Sequence, residues 1–391
     1  MARIEKVEIV RFTTDTPNFD RDYSNDIVAG TMAYRRGATL KRPLLLVQIT
    51  DVDGVMGEYA NWAPSGTWDS AVTTAKMTVG RDWTDREGIW RNARRANRPG
   101  NPYGLSFIDI ALWDLAGKAW NASLSDLLGG WRKDVRSYAS CNNGDRSGNL
   151  SSKEAVAEFF LGLKERGWTG FKMHSWNEGN QREELANVLN MRKALGDEVE
   201  LMLDPACVFD NLHDAIQVGR ACADAKFRWI EDPLRPIGLG AFQHKKLREA
   251  IDIPVLQTEH VAGPEAKADF LLAGGTDLLR ADVHYDLGIT GALKTIRFGE
   301  CLGVSTELHA PSPVHRHLIA CQQAETMYEV ANVSPAMDDP SPLIYTCGYS
   351  DNIASISPQG TLPVPQGPGV GVSYDMDLIA ANTLQKEVVT A

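Results

Sequence analysis

Five apolar runs in the second half of the chain each stop on a polar side chain, and the stops are almost evenly spaced. ELMLD ends at Asp204, FRWIE at Glu231, VLQTE at Glu259, LLRAD at Asp282 and GVSTELH at His309. The intervals are 231 − 204 = 27, 259 − 231 = 28, 282 − 259 = 23 and 309 − 282 = 27. One strand–loop–helix–loop unit of a parallel barrel has about this length. Upstream, WTGFKMH ends at His174 and carries Lys172 two residues earlier. Side chains at the C-terminal ends of barrel strands point into the mouth, where barrel sites are built. The spacing therefore predicts one site on which these six strand ends, with Lys172, converge.

The pattern elsewhere supports an α/β chain. RIEKVEIVRF alternates apolar and polar residues, and PLLLVQITD closed by DVDG reads as a second strand. Between them the polar stretch PNFDRDYSNDIVAG, residues 17–30, reads as a long mobile loop. FIDIALWDLAGKAW places Phe107, Ile110, Ala111, Trp113, Asp114 and Ala116 at helical spacing, and SLSDLLGG ends on glycines suited to a helix C-cap. From about residue 135 short strands (VRSYAS, FKMH, LMLD, WIED, VLQTEH, LLRAD, VSTELH) alternate with helical stretches. That alternation argues for a parallel sheet. An open doubly wound sheet would usually carry a G-x-G-x-x-G turn after its first strand, and none is present, so a barrel is preferred. The Pro- and Gly-rich tail TLPVPQGPGVGVSYDMDLIAAN shows no helical period and is expected to wrap back to the N-terminal segment.

Composition narrows the function. A chain of 391 residues exceeds one small core and suggests two domains. No run approaches the roughly 18–20 apolar residues of a membrane span, and MARIEKVEIVRF has no apolar signal core, so a cytoplasmic location and no membrane partner are expected. Cys141, Cys207, Cys222, Cys301, Cys321 and Cys347 form no C-x-x-C pair and read as reduced thiols. With a net charge of −11 and no basic stripe, nucleic acid is excluded as a partner. An anionic substrate would then need a local cation, which a bound divalent metal supplies.

Asp204, Glu231 and Glu259 held together would repel unless a cation lay between them. Oxygen-only ligands favour a hard ion such as Mg²⁺, and the absence of His or Cys from the set argues against Zn²⁺. Any one of these acids alone reads equally well as a cap on the following helix, Asp204 before Pro205 above all. Asp282 and His309 close neighbouring units; a carboxylate bonded to an imidazole fixes its tautomer and raises its basicity, as a general base requires. Lys172 and His174 lie on one face of one strand. His260, His284, His315 and His317 fall near the same mouth without closing a strand in phase.

Taken together, Lys172-x-His174, Asp204, WIEDP with Glu231, Glu259, Asp282 and His309 resemble the enolase superfamily in its mandelate racemase-like branch. LSFIDIALWDLAGKAWNASLSDLLGG is similar to that family's capping-domain helix and linker. The resemblance covers nearly the whole chain. It implies an α/β fold: a modified (β/α)₇β TIM-like barrel at residues 131–355, an α+β capping domain at 1–130, and a tail, 356–391, returning to the cap. It further implies that Asp204, Glu231 and Glu259 hold Mg²⁺ for bidentate binding of a substrate carboxylate, and that His309, oriented by Asp282, removes the α-proton to give an enediolate. The chain departs from the family at two points. His174 replaces the second lysine of a Lys-x-Lys pair, and Ala206 stands where many acid-sugar dehydratases carry Asn.

The resulting expectation is a Mg²⁺-dependent hydro-lyase that converts a sugar acid, aldonate or aldarate, to a 2-keto-3-deoxy acid. In it Lys172 contacts the carboxylate, and His309 or His174 helps the β-hydroxyl leave. The 17–30 loop, with Tyr34 and Arg35 beyond it, would close over the substrate; Trp62, within the Glu58–Trp62 stretch, and His260 would add contacts. The alternatives are a racemase, epimerase or cycloisomerase using the same proton removal, a non-catalytic metal-binding barrel, and a nicotinamide-dependent oxidoreductase weakened by the missing glycine fingerprint. Relatives of this kind are commonly symmetric homo-oligomers, so self-association is expected.

Overall fold

The computed structural model describes residues 2–23, 30–141, 145–176, 178–235 and 237–391. Three N-terminal strands, β1 (Ile4–Asp22), β2 (Thr31–Asp51) and β3 (Met56–Trp62), form an antiparallel meander. Eight further strands are laid side by side: β4 (Asp134–Cys141), β5 (Gly170–His174), β6 (Glu200–Asp204), β7 (Trp229–Glu231), β8 (Val255–Gln257), β9 (Leu278–Ala281), β10 (Thr306–Leu308) and β11 (Tyr328–Val333). Every ladder from β4 to β10 is parallel, and β11 pairs parallel with β4. A helix follows each of β4 to β10, which gives a nearly closed (β/α)₇β barrel. The short β12 (Thr361–Pro363) lies antiparallel on β4, and β13 (Thr383–Thr390) returns to pair with β1. The tail thus contacts the barrel before it completes the N-terminal sheet, and Met376–Ala381 within it is helical, capped by Asp375, although no helical period shows there.

The alternation of RIEKVEIVRF and the run PLLLVQI are explained by two-sided packing: Ile4, Val7, Ile9, Leu45, Val47 and Ile49 are buried in one core with residues of the helix Gly104–Ala119, and Val10, Phe12, Leu44 and Leu46 in a second. Gly57 on β3 is needed for that contact, since a Cβ there would lie 2.2 Å from the carbonyl oxygen of Ala111. The barrel helices start on side-chain caps, with Ser152, Asn180 and Asn211 each accepting a backbone N–H of the first turn. Tyr138, Met202, Trp229, Leu256 and Met327 fill the lower barrel as an apolar plug. Among the described residues no helix is long and apolar enough to cross a membrane.

The stretch expected to be a mobile loop is different. Pro17 to Asp22 continues β1 and pairs with β2, so the hairpin projects well past the sheet. Its register slips between Pro17↔Thr39 and Phe19↔Tyr34, where Asn18 adopts φ 62° and its Oδ1 accepts from the Gly37 N–H. Residues 24–29 of that expected loop lie outside the described residues.

Candidate active site at the barrel mouth

The strand ends meet as the spacing requires. His174, Asp204 and Glu231 are the last residues of β5, β6 and β7; Asp282 and His309 follow β9 and β10 directly, and Glu259 lies two past β8. The turns beyond these strands carry positive φ on non-glycine residues: Ala206 51°, Cys207 59°, Asp232 39°, Thr258 93° and Ala310 64°. Such conformations cost of order 1–3 kcal/mol each and cluster at functional sites.

Beneath the mouth lies a buried ionic layer. Lys172, 1% exposed, places Nζ 3.1 Å from Asp204 Oδ2, 2.8 Å from Glu231 Oε2 and 2.8 Å from Glu329 Oε1. Arg280, also buried, sits 2.7 Å from Glu231 Oε1 through Nε and 2.5 Å from Glu329 Oε2 through Nη2. Burial alone would lower the pKa of both cations, but the surrounding acids outweigh it and raise them. Glu231 is pushed up by burial against the pull of Arg280 and Lys172, whereas for Glu329 the two cations win and its carboxyl is held well down. Glu231 Oε1 lies off the direction of the Arg280 N–H and accepts no hydrogen bond.

Above this layer, His309 Nδ1 is 2.8 Å from Asp282 Oδ2 and its Nε2 is 3.2 Å from Glu259 Oε1. Burial pulls the His309 pKa down, but Glu259 and Asp282 overrule it and hold it at about 9. Across the mouth His174 Nδ1 contacts the Cys141 carbonyl at 2.6 Å and Nε2 lies 3.1 Å from Asp204 Oδ2. Here too burial is outweighed, chiefly by Asp204, and the pKa rises to about 10. With both ring nitrogens facing acceptors, His174 is a hydrogen-bond donor on both sides.

Both histidines and Lys172 line a cavity of about 640 Å³ shared with Asp204, Glu259 and Glu329. Of the residues expected to bind substrate, Trp62 and His260 line it. Tyr34 and Arg35 do not: the Tyr34 ring packs edge-on against Phe19, and Arg35 lies in the register slip, 62% exposed and paired with Asp20 at 3.1 Å. Arg21, Arg42 and Asn61 of the cap line the cavity as well. Asn61 donates to the Tyr59 hydroxyl (2.8 Å), which faces His284 Nε2 at 3.2 Å; His284 Nδ1 lies 3.2 Å from Ser106 Oγ, which donates to the Tyr103 carbonyl. That chain fixes the Nδ1–H tautomer of His284, whose pKa burial lowers to about 4.

Sequence reasoning missed Glu329 and Arg280. Glu329 lies on β11, the one barrel strand not read from the sequence, though 329 − 309 = 20 continues the series. Arg280 was hidden inside the apolar run that ends at Asp282.

The donor set fits a hard divalent ion: three oxygen-only ligands, a surplus of buried acid and an orphaned Glu231 oxygen. The three acids do not, among the described residues, bring one oxygen each within 4.8 Å of one another, and Lys172 and Arg280 both hold Glu231. Among the described residues the trio whose ligand atoms all lie within 4.8 Å is Cys207, Asp232 and His260, a mixed set on the same three loops.

Comparison with known proteins agrees with this geometry. Residues 155–378 match the enolase C-terminal domain-like family, and residues 28–129 match the mandelate racemase/muconate lactonizing enzyme N-terminal domain. The chain belongs to the enolase superfamily, in its mandelate racemase-like branch. Within the superfamily it is similar to D-galactarolactone cycloisomerase of Agrobacterium fabrum, 29% identical over 87% of this chain and 91% of that protein. It is also similar to L-talarate/galactarate dehydratase of Salmonella typhimurium, 27% identical over 73% of this chain and 72% of the relative. Its fold superposes on D-glucarate dehydratase from Agrobacterium tumefaciens, crystallised with magnesium, with a TM-score of 0.84 at 26% identity, covering 98% of this chain and all of that one. His174 and Ala206 remain the two departures of this superfamily member from the pattern its motifs resemble.

Proposed function

We propose that this protein is a Mg²⁺-dependent sugar-acid dehydratase, with Asp204, Glu231 and Glu259 as the metal ligands. The observation that carries the reading is the His309–Asp282 pair, 2.8 Å apart, facing His174 and Lys172 across a cavity lined by Asp204 and Glu259, with Glu231 buried beneath it. The similarity to dehydratases of talarate, galactarate and glucarate supports it. When bound, Mg²⁺ would offset the excess of carboxylates and hold the substrate carboxylate, favouring charge that develops on its oxygens.

The chain's own groups supply the proton transfers. His309, once it has given up the proton that Glu259 and Asp282 favour in this structure, takes the proton from the carbon next to the carboxylate through Nε2, the nitrogen not bonded to Asp282. Removing that proton moves charge onto the carboxylate oxygens, where the ammonium of Lys172 is placed to favour it. Loss of the β-hydroxyl as water then needs a proton, from His309 itself or from His174. The net change is loss of one water, and the enol product relaxes to the 2-keto-3-deoxy acid. His174, held as a donor by Asp204 and Cys141, suits an acid better than a second base, which favours elimination over two-base racemisation.

Isomerisation through the same proton removal is the second reading, favoured by the similarity to a cycloisomerase. The test is a library of mono- and diacid sugars with Mg²⁺, read for 2-keto acid and, in D₂O, for exchange at the α-carbon. Exchange without 2-keto acid would defeat the dehydratase reading. We further infer a cap at 1–130, a barrel at 131–355 and a returning tail at 356–391. A cytoplasmic homo-oligomer without nucleic-acid partners completes the reading.

A further inference from the structure

The reaction outlined above uses the floor of the cavity and leaves two cations in its roof without a role. Arg21, from the projecting part of β1, and Arg42, from β2, both line the cavity together with Thr31, Met32, Leu40 and Asn61. Arg42 donates from Nη1 to the carbonyl of Pro340 at 3.1 Å, and Arg21 from Nη1 to that of Gly30 at 2.9 Å. A backbone carbonyl carries no net charge, and among the described residues no carboxylate is paired with Arg42. Burial first, and the neighbouring Arg21 second, lower the Arg42 pKa. Two half-buried guanidiniums side by side repel each other, and an anion between them would relieve that.

The cavity is therefore polarised end to end. Its floor is crowded with Asp204, Glu259 and Glu329, and its roof carries Arg21 and Arg42. A cavity of about 640 Å³ is of the size that encloses a small ligand. A molecule anionic at one end only would satisfy the floor, once its metal is bound, and leave Arg42 without a carboxylate partner among the described residues. An arginine fork matches the two oxygens of a carboxylate.

We propose that Arg21 and Arg42 form a subsite for a second, distal carboxylate, so that the substrate is an acyclic sugar diacid and not a monoacid. The proposal rests on the reading that the floor binds the carboxylate next to the reacting carbon. Arg42 is the principal contact and Arg21 its partner across the hairpin. The Pro340 carbonyl, fixing one Arg42 nitrogen, leaves the others to aim into the cavity.

The test uses the full chain with Mg²⁺. Six-carbon aldarates are compared with aldonates of matching stereochemistry and with 6-phosphorylated aldonates, which also carry a distal anion. The expected result is a preference for the aldarate of about 100-fold or more in kcat/KM over the matched aldonate. Arg42→Gln should cut that ratio by about 10- to 100-fold, mainly through KM, as loss of a charge-assisted hydrogen bond does. Arg42→Lys, which keeps the charge, should restore part of it, and Arg21→Gln, which leaves the tie to Pro340 untouched, should act in the same direction as Arg42→Gln. Calorimetric binding of the aldarate to Mg²⁺-loaded His309→Asn gives a readout independent of turnover. An unmoved aldarate-to-aldonate ratio in both Gln variants overturns the subsite and leaves the dehydratase reading standing. Preference for the phosphorylated aldonate also overturns it. Aldarate binding that depends on Arg42, with no 2-keto acid from any substrate, supports the subsite and defeats the dehydratase reading instead.

Discussion

Asp109 joins the cap to the barrel, and its titration should govern how firmly the two hold together. It lies on the cap helix Gly104–Ala119 and accepts from Thr290 N (2.9 Å) and Thr290 Oγ1 (2.7 Å), in the first turn of the barrel helix Ile289–Cys301. Trp113 Nε1 donates to the same hydroxyl at 3.0 Å. Burial outweighs these hydrogen bonds and the nearby Arg86, and pushes the carboxyl from its ordinary 3.8 up to about 7. Between those values the folded chain keeps a proton that the unfolded chain has lost. The stability this adds is fully present below 3.8 and disappears as pH rises through about 7. At about 1.4 kcal/mol per pH unit the rise corresponds to ~4 kcal/mol at most. Asp109→Asn keeps the shape and removes the charge, so the variant should match the wild type near pH 4 and become more stable than it by up to ~4 kcal/mol above about pH 7. Urea unfolding of both proteins across that range, followed by tryptophan fluorescence, measures the difference. A difference that stays constant with pH would refute the reasoning, because it would mean that Asp109 ionises in the fold as readily as in water.

Three further outcomes follow from the site. Arg280→Met strips a buried cation from Glu231 and Glu329 and should destabilise the chain by ~3–5 kcal/mol in denaturant unfolding; Arg280→Lys should recover part of that loss. His309→Asn should lower 2-keto acid formation by roughly 10²–10⁴-fold, the usual worth of a general base, while calorimetry shows Mg²⁺ still bound. Chelation of Mg²⁺ should abolish turnover reversibly, and Glu259→Ala should weaken calorimetric Mg²⁺ binding at least about 10-fold, since a charged oxygen ligand is lost.

The barrel and its mouth were legible because a parallel strand buried on both faces is an apolar run, and what ends it must face solvent or a site. Five polar stops at nearly constant intervals can scarcely arise otherwise, and they pointed to Asp204, Glu231, Glu259, Asp282 and His309 as one constellation. The ionic layer below them was not legible. Arg280 sits within LLRAD, and only the fold shows that its charge is met by Glu231 on β7 and Glu329 on β11. Glu329 escaped because it is the second residue of its strand and not its last, so no polar stop marks it.

The cap failed for a different reason, and the reason bears on specificity. In a strand, side chains alternate between faces, so a slip of an odd number of residues exchanges the face that looks into the cavity for the one that looks away. The slip in the β1–β2 hairpin is odd: paired positions sum to 17 + 39 = 56 on one side of it and 19 + 34 = 53 on the other. Arg35 falls inside the slip and is turned to solvent beside Asp20, while Arg42 on the sheet side and Arg21 on the tip side both reach the cavity. Which arginines reach the cavity is thus decided by a local irregularity at Asn18 and Gly37, not by any periodicity along the strand. Deleting one residue of the slip, such as Arg36, should rotate the tip by one face and remove Arg21 from the cavity while Arg42 stays. The aldarate-to-aldonate ratio should then fall as it does in Arg21→Gln. A deletion that lowers turnover of both substrates equally would mean that the hairpin only shields the site and does not read the distal end of the substrate.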